Sequence, residues 1–117
     1  MTFNRTQRAL VASVLHGPRL LDSPESRVRM IVVSIFDLAG SNPGAIQARL
    51  VPDVAQAIRE TLPTDLKFEI FAHAQAAAII GGAMAWLSTE PQVEQRLVVE
   101  LIAETLSTGV RTASKIS

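Results

Sequence analysis

The chain has 117 residues, eleven basic and eleven acidic side chains, 48% apolar residues and no cysteine. That length fits one domain of ordinary size. The missing cysteine excludes disulfides, a thiolate nucleophile and Cys-based zinc or iron–sulfur sites, and the balanced charge excludes a polycationic protein that coats nucleic acid.

In chain order, the start Met1-Thr-Phe-Asn-Arg-Thr-Gln-Arg is polar where a signal peptide is apolar. A first helix is expected over about 4–15, with Phe3, Leu10, Val11 and Val14 on one side and Gly17-Pro18 as its stop. Ser23-Pro24-Glu25 reads as an N-cap, a first-turn proline and an early acid. The helix it opens is expected over about 24–39. Val28, Ile31, Val32, Ile35, Phe36, Leu38 and Ala39 form its apolar side, Arg27 and Arg29 stand on the polar one, and Gly40 closes it with positive φ. The β-branched run Ile31-Val32-Val33 keeps a strand reading open, but the helix signals at both ends and the lack of a partner strand oppose it. Asn42-Pro43 repeats the cap signal for a short helix over 43–50, with a kink or break at Val51-Pro52. Residues 53–62 continue helically with Val54, Ala55, Ile58 and Leu62 inward, and Pro63-Thr64-Asp65 leads to the longest apolar segment, 65–87. That segment is interrupted by His73 and Gln75 and lacks a basic flank, which favours a buried helix of a cytoplasmic protein over a membrane span. The last helix is expected over about 92–112. The chain therefore reads as one all-α domain, a bundle of five to six helices.

The last two helices are apolar on more than one side. The first carries a small-residue stripe, Ala74, Ala78, Gly81 and Ala85, beside a bulky one of Phe68, Phe71, Ile79 and Trp86 with Gln75 in its middle. A third stripe holds Leu66, Ile70, Ile80 and Met84, with Glu69 and His73 on its shoulder. Gly81-Gly82 costs roughly 1–2 kcal/mol of helix propensity relative to Ala-Ala, which makes sense where something packs closely or the helix bends. The second has a narrow polar strip, Arg96, Glu100, Glu104, Ser107 and Arg111, with Arg96 and Glu100 spaced to pair. Such wide apolar arcs predict a second copy of the same pair, an intermolecular four-helix bundle about a two-fold axis. Ala74, Ala78, Gly81, Ala85, Leu97, Leu101 and Thr105 are its candidate interface residues.

Catalytic chemistry finds no support. His16, beside Gly17 at a helix end, suits interaction with the last carbonyls. His73 lies one turn after Glu69, which can orient an imidazole, yet no nucleophile accompanies them. Gln75 in an aromatic wall needs a hydrogen-bond partner, which a ligand, a partner subunit or water can supply. Gly81-Gly82 lies inside a helix and is no phosphate loop. No cofactor, metal site or enzymatic activity is expected.

Phe71-Ala-His-Ala-Gln-Ala-Ala-Ala-Ile-Ile-Gly-Gly-Ala-Met-Ala-Trp-Leu-Ser88 followed by Val93 through Val110 resembles the end of TetR-type transcriptional regulators, where a small-residue-rich helix closes on tryptophan before a last amphipathic helix. Asn42-Pro-Gly-Ala-Ile-Gln-Ala-Arg-Leu50 is similar to a segment upstream in that family, and the likeness covers roughly residues 28–110. The family's DNA-binding unit is not matched before Val28, so the resemblance extends only to the regulatory half. It implies a homodimeric sensor of a small apolar effector that does not itself bind DNA, either a fragment of a regulator or a natural protein without the reader. The implied effector cavity lies near Phe36, Phe71 and Trp86, with Met30, Val33, Phe36, Phe71, Gln75 and Trp86 as its candidate residues. The other reading left open is a stand-alone helical module that captures another protein and takes no small molecule.

Overall fold

In the computed structural model, residues 12–15, 23–60, 62–89 and 93–116 are described. Residues 4–11 of the expected first helix, its Gly17-Pro18 stop and His16 lie outside them. All regular structure among the described residues is helical, and residues 12–15 are helical with Leu15 in the core.

Helix α1 spans Pro24–Ser41. The Ser23 hydroxyl accepts from the Ser26 N–H at 3.4 Å, and Pro24 occupies the first turn, where its missing N–H leaves no bond unmade. The helix runs past Gly40, which is not in the left-handed region, and ends at Asn42, whose N–H donates to the Leu38 carbonyl at 2.7 Å. One residue from the expected polar side is buried. Arg27 sends its guanidinium to the Ala57 carbonyl at 3.4 Å and the Glu60 carboxylate at 3.1 Å, so its charge is paired where its stem is packed.

The expected helix over 43–50 is instead two 3-10 turns, Pro43–Ala45 and Ala48–Leu50, with Ile46 extended between them. Eight residues including Gly44 gain too few hydrogen bonds to offset helix nucleation. The broken path lets Ala45, Ile46 and Leu50 all enter the core. Helix α2, Val51–Arg59, begins where a kink or break was expected, with Pro52 in its first turn. Val54, Ala57 and Ile58 are its buried residues, while Ala55 and Leu62 pack partly buried on the core. Helix α3, Leu66–Leu87, is capped by the Asp65 side chain, which accepts from the Lys67 N–H at 3.2 Å. Helix α4 covers Gln95–Ile116, later at both ends than expected.

The helices form two antiparallel pairs. Helix α1 packs along α4, and α2 along α3. Phe36 sits at the junction, its ring 5.7 Å from that of Trp86 at a 49° tilt. A Cβ on Gly82 would lie 2.9 Å from Ile102 Cδ1 and 3.9 Å from Phe36 Cζ, so this glycine is where α3 comes close to both α1 and α4. The Trp86 indole N–H donates to the Val93 carbonyl at 2.7 Å, clasping the start of α4 to the end of α3.

By length and composition α3 can cross a membrane, yet within the chain it is a packed helix. It is not buried on all sides as expected. Phe68, Ala72, Gln75, Ala76, Ile79, Ile80, Ala83 and Trp86 face inward, and the opposite side is bare.

Candidate functional site

The bare side of α3 is the small-residue stripe. Ala74, Ala78, Gly81 and Ala85 are all exposed, as are Leu97, Leu101 and Thr105 on α4. The larger side chains around them stand in solvent: Leu66 is 69%, Ile70 64% and Leu101 72% exposed. A Cβ at Gly81 would meet nothing within 4 Å. The chain's own packing therefore gives no reason for glycine there, in contrast to its neighbour Gly82.

Three charges of α4, Glu100, Glu104 and Arg111, are turned the other way, toward α1. Arg29 pairs with Glu104 at 2.8 Å and lies 3.9 Å from Glu100. Arg111 pairs with Glu25 at 3.2 Å, and the Gln95 amide donates to Asp37 at 2.6 Å. The hydrogen bond to Glu25, and then its charge, raises the Arg111 guanidinium above its already high ordinary value. Arg96 pairs with Glu94 at 3.4 Å, not with Glu100 as its spacing suggested. Ser107, expected on the polar strip, is buried with its hydroxyl unpartnered.

Leu97, Leu101, Thr105, Thr108 and Thr112, which α4 exposes on its other side, are uncharged. The Thr105, Thr108 and Thr112 hydroxyls donate back to the carbonyls of Leu101, Glu104 and Thr108 at 2.9, 3.0 and 3.1 Å. Back-bonded hydroxyls demand no partner from solvent, so this stripe is less polar than its residue types suggest.

The six candidate effector residues fall in three places. Phe36 and Trp86 fill the core contact described above, both buried. Met30 and Val33 lie on the outer side of α1, Met30 exposed and Val33 half-buried. Phe71 and Gln75 meet α4 near Gly109, where a Cβ would lie 3.2 Å from Gln75 Nε2 and 3.4 Å from the Phe71 ring. The Gln75 amide donates to the Leu106 carbonyl at 3.0 Å and its own oxygen is unpartnered. The protein itself thus supplies half of the partnership expected of a ligand.

Three of the surface clefts among the described residues bear on this, and none of the three is lined by more than one of those six. The first, about 220 Å³, lies between α2 and α3 and includes Arg59, Glu69 and His73. Here Glu69 does not orient His73, because it accepts from Arg59 at 2.6 Å. A second, about 470 Å³, brings Val33 beside Glu94, Arg96 and Glu100. The third, about 330 Å³, opens between the start of α3 and the end of α4. Lys67, Phe68 and Phe71 form one wall, Gly109, Thr112, Ala113 and Ile116 the other.

Of these, only Phe71 was singled out from sequence as a ligand contact. The i, i+3 pair Phe68 and Phe71 signalled an aromatic wall, but nothing local revealed which residues of α4 would face it. Among the described residues no group of three or more acidic or histidine side chains is placed to hold a metal ion. Set against protein-family models, curated proteins and solved structures, the chain matches none.

Proposed function

We propose that the chain is a ligand-sensing and dimerisation unit of a TetR-like transcriptional regulator, binding a small apolar effector without itself contacting DNA. The observation that carries this reading is the exposed row of Ala74, Ala78, Gly81 and Ala85 on α3 beside Leu97, Leu101 and Thr105 on α4, with a glycine that no described residue approaches. Contiguous exposed apolar patches beyond a few hundred Å² commonly mark interaction sites. A stable interface takes about 800 Å² from each partner, on the order of 10% of a small protein's surface, and this monomer exposes 6617 Å² in all. A second copy is the occupant that needs no further component, since a two-fold axis sets the same two helix faces against one another in a four-helix bundle. Effector binding belongs to the cleft at Phe71, which adjoins that face, so an occupied cleft can bias how two copies meet.

Sedimentation velocity at micromolar concentration tests the dimer. The expected result is a dimer that becomes monomeric with Gly81→Leu at unchanged helicity, because the added side chain enters free space in one chain and collides only with a second. A wild-type chain that remains monomeric overturns the homodimer and leaves the other reading, a helical module that docks a different protein on the same face.

A further inference from the structure

We propose that the cleft between the start of α3 and the end of α4 binds a straight-chain carboxylate of medium length, its carboxylate on Lys67 and its chain along Phe68, Phe71, Gly109 and Ile116. This deepens the effector reading and rests on it.

Shape comes first. The two walls are antiparallel helices, and the α4 wall runs from Gly109 to Ile116. At a rise of 1.5 Å per residue that stretch is about 10 Å long, the reach of roughly eight to ten extended carbons. Its volume of about 330 Å³ lies near the lower limit of about 300 Å³ for small-molecule sites. Gly109 has room for no side chain without pressing on Gln75 and Phe71, and this keeps the inner end of that wall flat.

Chemistry comes second. Six of the seven lining residues are uncharged, and four of those are Phe68, Phe71, Ala113 and Ile116. Thr112 has its hydroxyl turned back to Thr108. The seventh is Lys67, whose ammonium stands 5.3 Å from the centroid of the Phe68 ring and so at the edge of the apolar wall. Its nearest acid, Asp65, is 3.8 Å away, and both side chains are half exposed, which makes that pair weak. A cation at one end of an apolar trough is complementary to a ligand with one negative head and an apolar chain. A cationic ligand would meet repulsion, and a neutral one would leave the head position unused.

Isothermal titration of the full chain with decanoate, octanoate and decanol tests the assignment, with sedimentation on the same samples. Saturable binding of one decanoate per chain is expected. Octanoate should bind roughly tenfold more weakly, for two fewer buried methylenes. Lys67→Gln should weaken decanoate by up to about fivefold and leave decanol unchanged, the upper end for a part-exposed charge pair. Thr112→Trp, an exposed position that fills the trough, should abolish binding of both while helicity is retained.

Equal affinity for decanol and decanoate, or no effect of Thr112→Trp, overturns the proposal. So does decanoate binding confined to the monomeric Gly81→Leu variant, because a second copy would then occupy the trough. If decanol binds at the trough and decanoate does not, only the carboxylate class fails. If neither binds, the effector reading fails with it, whereas the sedimentation result bears on the dimer alone.

Discussion

Gly81 and Gly82 are adjacent, chemically identical and differently employed. The Gly82 Cα faces Ile102 and Phe36, so a side chain there must displace packed atoms. Gly82→Leu should therefore destabilise the chain by about 1–3 kcal/mol, the usual cost of overpacking, and urea unfolding will read it as a lower midpoint. Gly81 has open space before it, so Gly81→Leu, read in the same titration below the dissociation constant of the proposed dimer, should stabilise the monomer if it does anything. Helix propensity at that position improves by roughly 1 kcal/mol when glycine is replaced. The pair thus sets a glycine that a packed neighbour requires beside one that no described neighbour requires. Gln75 teaches a related lesson. Its burial among aromatics was legible in the sequence, but its partner was not, because the Leu106 carbonyl lies 31 residues away on a helix whose rotation only packing sets.

At the scale of elements, α4 has three functions on one circumference. Ala103, Leu106, Val110 and Ala113 enter the core, Glu100, Glu104 and Arg111 reach back to α1, and Leu97, Leu101 and Thr105 are left bare. The ion pairs with α1 fix its rotation more than they stabilise it. Arg29 and Glu104 are both substantially exposed, and such pairs contribute about 0.2–1 kcal/mol. Arg29→Ala should accordingly lower stability by less than about 1 kcal/mol, with most of that loss erased in high salt. A larger and salt-independent loss in chemical denaturation would mean that the arginine stem, and not its charge, holds α1 to α4. The segment over 43–50 shows the converse case, in which packing overrides a local signal. Asn42-Pro43 has the chemistry of a helix start, yet burial of Ala45, Ile46 and Leu50 is achieved by two short turns with an extended step between.

For the whole molecule, the apolar content divides into a core within the chain and a face outside it. Phe36, Ile31, Ile35, Leu50, Ile58, Ile79 and Ile80 are almost wholly buried without a partner, so a single copy has a core to fold around. The α3/α4 face is additional to that core. A chain that folds alone and then associates has a melting temperature that depends on its concentration. A hundredfold increase adds about 2.7 kcal/mol of association free energy, so the wild-type melting temperature should rise across that range in scanning calorimetry. With Gly81→Leu the rise should vanish. A wild-type melting temperature independent of concentration would overturn the homodimer.

The sequence by itself determined the helices and their stripes. Capping at Ser23, the long apolar segment, and the small-residue row at Ala74, Ala78, Gly81 and Ala85 are local signals, governed by 3.6-residue periodicity and by backbone groups a few residues apart. Tertiary structure alone decided which stripe faces what. Periodicity states that a helix has sides, but the rotation of α3 and α4 about their axes depends on Phe36, Ile102 and Leu106, which are distant in sequence. That rotation sealed the Phe36–Trp86 contact, placed the small stripe outside, and opened a trough at Lys67 that no local pattern announces. The even balance of eleven positive and eleven negative charges also took on a spatial meaning, since Glu100, Glu104 and Arg111 of α4 reach α1 while Leu97, Leu101 and Thr105 stand on its bare side.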